Sequence, residues 1–177
     1  MKIEGRNRIS HPAKLVFETL RDKNPELVAF MPNIESCKVL SREEKPPVVH
    51  LRSRWQGTND DVPKLLRPFV SRDLAAWLDK AEWDEKTLVC TWAVESVIAK
   101  NVFDCKGTTT ISDEGDGTSL FVMDAELHIH TDKVPGVPKF LANKVRAPLE
   151  KFIANALSPN LTSISNAVQK YLDAKTG

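Results

Sequence analysis

The side chains able to do chemistry are few and scattered. There are four histidines among 177 residues. His50, His128 and His130 fall in the polar phase of alternating segments, which puts them on a solvated face, and His11 stands where a helix should start. His128 and His130, spaced i,i+2, share their phase with Asp124 and Glu126 and could hold a metal from one strand face. The pattern orders no third ligand, so no metal and no other cofactor is expected. Asp60 and Asp61 are adjacent carboxylates in a loop, where neighbours point apart and stay solvated. The three cysteines, Cys37, Cys90 and Cys105, form no CxxC pair and read as reduced, mostly buried thiols of a cytoplasmic protein. No GxSxG, P-loop, GxGxxG or HExxH motif is present. No catalytic residue is therefore assigned.

The aromatic residues form a clearer pattern. Trp55 and Trp92 share one strand phase with Phe103, Phe121 and Met123. Such a set either packs as ordinary core or walls a cavity, and one ring can do both.

These residues must be positioned by strands. Lys2–Ile9 alternates, with Ile3, Gly5, Asn7 and Ile9 on one side and charge on the other. Ser10 offers an N-cap and Pro12 a first helical turn, followed by Ala13, Val16, Phe17 and Leu20 at helical spacing. Asn24-Pro25-Glu26 starts a second short helix that Pro32 ends. Strands are then expected over 34–43, 48–56, 72–83, 87–97, 102–112 and 119–130, the third of unclear phase. Asp113 to Gly117 reads as a hairpin turn. From Leu149 to Leu172 apolar residues recur every three or four positions in one long helical stripe, which Pro148 and Pro159 should bend or break.

Formal net charge is +1, so there is no electrostatic case for nucleic acid or an anionic membrane. No run approaches the roughly 18 apolar residues that mark a membrane span, and the charged N-terminus carries no secretory signal. Integral membrane association is excluded on this reading; transient membrane contact and oligomeric state stay open.

The openings IEGRNRISHPAKLVFETLRD and NPELVAFMPNIESCKVL, with the closing LEKFIANALSPNLTSISNAVQKYLDA, resemble the START-like (SRPBCC) superfamily of polyketide cyclases, birch-pollen-allergen-like proteins and lipid-transfer domains. The resemblance spans the whole chain as a single domain, 1–177. It implies an α+β helix-grip fold: a curved antiparallel sheet of about seven strands around a long C-terminal helix, with two short helices after the first strand. It further implies a cavity between sheet and helix. Candidate lining residues are Leu51, Trp55, Phe69, Cys90, Trp92, Phe103, Cys105, Phe121, Met123, Phe140 and Phe152.

The expected function is binding or transport of a hydrophobic or amphipathic small molecule, such as a lipid, isoprenoid or polyketide-like compound. A polyketide cyclase or aromatase-type enzyme is the alternative, weakened by the lack of an inward His, Asp or Glu. A protein-interaction module like the co-chaperone branch is the third. Segment 57–69, with Pro135–Pro138 and Phe140, is expected to form a lid, and Arg54, Lys64, Arg67 and Lys106 are candidates to meet an acidic ligand head.

Overall fold

The N-terminal alternation makes a strand, β1 (Lys2–Ile9), with Ile3 and Ile9 buried and every charged residue exposed. The computed structural model describes residues 1–58, 72–97, 103–130 and 142–176. After β1 come helix α1 (Ala13–Asp22), helix α2 (Asn24–Leu27) and a single 3-10 turn, Val28–Phe30. Six strands follow: β2 (Ile34–Lys45), β3 (Val48–Gly57), β4 (Ala76–Asp84), β5 (Val89–Ser96), β6 (Phe103–Asp113) and β7 (Ser119–Ile129). Helix α3 (Ala142–Thr176) closes the chain. The sheet is wholly antiparallel, in the order β1-β7-β6-β5-β4-β3-β2. This is the expected helix-grip architecture.

Two local expectations need correction. Ser10 does not cap α1. Pro12, in extended conformation, precedes the helix, and its carbonyl accepts the Val16 N–H at 3.1 Å. The Ser10 N–H goes instead to Gln169 Oε1 on α3, at 2.7 Å. Nor do the prolines split α3, which runs as one element through Pro148 and Pro159. A proline forfeits one helical N–H bond, and tertiary packing can carry that loss.

The C-terminal half of α3 is tied down by polar contacts as well as packing. Asn7 Nδ2 donates to Ser165 Oγ, and the Tyr171 hydroxyl donates to Glu26. His11 Nε2 lies 2.8 Å from Asp173 Oδ1. The hairpin turn has the expected chemistry: Gly115 and Gly117 take φ of 83° and 79°, values that glycine adopts without a Cβ penalty.

Packing is uneven across the sheet. The largest fully buried side chains are Ile9, Phe17, Leu20, Leu27, Ile111, Phe121, Met123 and Leu127. All belong to β1, α1, α2, β6 and β7. None comes from β3, β4 or β5, and that is where the tryptophans stand.

Candidate functional site

Strands β3 and β4 pair antiparallel with Trp55 opposite Trp77, Ser53 opposite Asp79, Leu51 opposite Ala81 and Val49 opposite Trp83. Side chains alternate across a strand, so Trp77, Asp79, Ala81 and Trp83 all project to the face that Trp55 occupies. The phase of this strand is illegible in sequence because Ala76-Trp77-Leu78 is apolar in both phases and Asp79-Lys80 polar in both. Register with β3 resolves it, and places a carboxyl group on the inner face that was expected to lack one.

The rings of Trp55 and Trp77 stack, with centroids 6.3 Å apart and planes 6° from parallel. The Trp55 indole N–H favours the charged form of the Asp79 carboxyl. Asp79 is half-buried and lines a cavity. Burial disfavours its charged form and pushes its pKa up to about 7, against a smaller opposing effect of the Trp55 N–H.

Strands β5 and β6 form the next part of the wall. Trp92 lies opposite Gly107, and its indole N–H donates to Thr109 Oγ1 at 3.1 Å. The missing side chain at Gly107 is what lets the ring lie there. A Cβ at that position would meet Trp92 Cζ2 at 2.6 Å, the Asp124 carbonyl oxygen at 2.6 Å and Ala125 Cβ at 2.8 Å.

At Trp83 the wall meets the short helices. Its ring packs edge-on against Phe17, with centroids 5.2 Å apart. Trp83 Nε1 and Asn24 Oδ1 are both buried without a partner. Each costs on the order of 1–3 kcal/mol unless water or a ligand satisfies it. Leu20, Met31, Cys90, Val94, Phe121, Met123 and Ile164 complete the lining. The space between the walls, mouth included, is about 650 Å3, and the centre of a water molecule can move through about 80 Å3 of it.

Of the sequence candidates, Trp55, Cys90, Trp92, Phe121 and Met123 come together around this cavity. Leu51, Phe103 and Cys105 are buried in the core cluster and do not line it. Phe69 and Phe140 lie outside the described residues, as does the side chain of Phe152; so do residues 59–71 and 131–141, on which the lid expectation rests. Asp79, Trp77, Trp83 and Asn24 also line it, and nothing in the strand phases singles them out.

Nor does the charged mouth assemble from its described members. Arg54 is paired with Asp73 at 2.9 Å, and Lys106 is exposed in the outward phase of β6. Lys64 and Arg67 lie outside the described residues. His50, His128 and His130 keep to the outer face: His50 is 3.6 Å from Glu82, His128 3.4 Å from Glu126 and His130 3.3 Å from Asp104. No three metal-ligating side chains converge among the described residues. The thiols are poor nucleophiles, because burial raises Cys37 to about 12, Cys105 to about 11 and Cys90 well above its ordinary value. No described helix is long and apolar enough to cross a membrane.

No family model matches the chain, and no curated protein does. Solved structures do. The ZhuI aromatase/cyclase from Streptomyces sp. R1128 is 14% identical with a TM-score of 0.70, covering 100% of this chain and 96% of its own. Norcoclaurine synthase from Thalictrum flavum is 11% identical with a TM-score of 0.57, over 97% of this chain and 86% of that one. Ara h 8.0201 is 14% identical with a TM-score of 0.54, over 98% of each chain. At such identities the likeness is one of fold, and the chain takes the START-like helix-grip fold.

Proposed function

We propose that this protein binds a small hydrophobic or amphipathic molecule in the cavity between β3–β6 and α3. The observation carrying the reading is that all four tryptophans of the chain, Trp55, Trp77, Trp83 and Trp92, surround one partly open apolar space instead of filling it. Natural cores are close-packed, so an apolar space ringed by indoles is the usual form of a small-molecule site, and at about 80 Å3 of free room this one is well below the roughly 300–1,000 Å3 typical of such sites. Its limited free space suits a compact body better than a long acyl chain. The exposed large apolar residues among those described, Met1, Leu15, Val39 and Leu40, include none that lines the cavity.

Because every tryptophan lines the cavity, intrinsic fluorescence reports on it alone. Titration with a panel of compact aromatic and isoprenoid compounds should shift or quench the emission in a saturable way, and native mass spectrometry should detect one ligand per chain. A protein whose emission and mass ignore the whole panel would count against binding.

One observation favours a second reading, an enzyme of the polyketide cyclase or aromatase type. Asp79, with a pKa of about 7, is a carboxyl group able both to give and to take a proton near neutral pH. Held beside an enolisable carbonyl, it would move the proton between carbon and oxygen while the indole walls fix the geometry. That reading expects turnover of a poly-β-keto substrate to fall by about 100-fold or more in Asp79→Asn. Unchanged turnover in that variant would end it.

A further inference from the structure

We propose that the ligand carries a protonated amine on a compact apolar body, with its ammonium seated at Asp79 among the indole faces. The inference deepens the binding reading above and rests on it.

The charge of the wall is one-sided, although Trp83 Nε1 also offers a donor without a partner. Among the described lining residues the only ionisable group besides the Cys90 thiol is the Asp79 carboxyl, and no lysine, arginine or histidine accompanies it. The faces of four indoles are negative, and indole is the aromatic surface that attracts cations best. The Trp92 indole N–H that could have served an anionic or carbonyl ligand is engaged within the protein, by Thr109 Oγ1, and that of Trp55 acts on Asp79. Asn24 Oδ1 adds an acceptor without a partner.

An ionised carboxylate accepts about four hydrogen bonds, and beside Asp79 only the Trp55 N–H favours the charged form. A ligand carboxylate would place like charges together in a poorly solvated space. An alcohol could accept from a protonated Asp79 or donate to it, but would not compensate its charge. An ammonium compensates the charge, supplies up to three donors and meets the indole faces.

Asp79 must be ionised for this pairing, so binding should strengthen as pH rises through neutrality. The groups facing it do not oppose this. Ser53 and Trp55 come from β3 and Val94 from β5, and none of these titrates. The thiols of Cys37 on β2 and Cys90 on β5 feel its charge and stay protonated. From α3, the described lining residue is Ile164.

Three probes that share a phenylethyl body test the idea by fluorescence titration: 2-phenylethylamine, 2-phenylethanol and 3-phenylpropionate. At about pH 8 the amine should bind at least about tenfold more tightly than the alcohol, with the carboxylate weakest. In Asp79→Asn the amine-to-alcohol ratio should fall towards one. In the unaltered protein the same ratio should shrink by about tenfold or more on lowering the pH to about 5.5, which keeps the test sharp if the variant does not fold. Equal binding of amine and alcohol at the higher pH, or an amine preference that survives in Asp79→Asn, would overturn the inference and leave the cavity reading standing. Failure of all three probes to bind would sink both.

Discussion

Asp79→Asn should make the protein more stable above neutral pH, by about 2–4 kcal/mol at pH 8. The sign follows from the direction of the shift. The Asp79 carboxyl has an ordinary value of 3.8 and is raised by burial to about 7 in the folded chain. Below the lower value both states hold the proton and the group contributes nothing. Between the two, the unfolded chain releases its proton while the folded chain keeps it, so stability falls as pH rises. Above the upper value both are ionised and the full penalty is present. The shift corresponds to about 4 kcal/mol at most, and water entering the cavity lowers it. Asparagine keeps an oxygen to accept the Trp55 N–H while removing the charge. Urea denaturation at pH 4 and pH 8 measures both ends: the variant should match the wild type at the lower pH and exceed it at the higher. A variant no more stable than wild type at pH 8 would mean that the carboxylate is not desolvated as described.

The second large effect is expected at Gly107. An added methyl would meet a backbone oxygen and an indole carbon at 2.6 Å, closer than real Cβ atoms approach. The Asp124 carbonyl is held in the β6–β7 ladder and cannot retreat far, so Trp92 must move. Gly107→Ala should therefore cost about 1–3 kcal/mol from overpacking. At this chain length that lowers Tm by about 2–4 °C for each kcal/mol. The Trp92 to Thr109 hydrogen bond should go with it. The thermal midpoint reads the first effect, and a change in tryptophan emission reads the second. Gly107→Ala with unchanged Tm and emission would show that the ring does not depend on the missing side chain.

The architecture was legible in the sequence because it rests on periodicity. β1, β3, β6 and β7 each alternate, and apart from Gln56 and Gly57 at the end of β3 their buried residues are the ones the alternation selects. The site was half legible for the same reason. Trp55, Trp92, Phe121 and Met123 stand in unambiguous phases, whereas Trp77, Asp79 and Trp83 lie on a strand whose own sequence fits either face. Only pairing with β3 decides which face they take, and pairing is a long-range fact. Asn24 could not be found by strand phase at all, since it reaches the cavity from the start of α2. Conversely, Phe103 and Cys105 have the right phase but lie on a part of β6 away from the opening. Phase places a side chain inside and says nothing of how far along the sheet the empty space extends.

The division between a filled half and an open half has an evolutionary consequence. The side chains that hold the molecule together most tightly come from β1, α1, α2, β6 and β7. Those that would choose a ligand cluster on the paired strands β3 and β4, which carry Trp55, Trp77, Asp79 and Trp83. Trp55, Trp77 and Trp83 also belong to the buried core, so a substitution there changes ligand choice and stability together. A new binding preference can therefore arise within these two paired strands only as far as the stability reserve allows, while the other strands are inherited as its container.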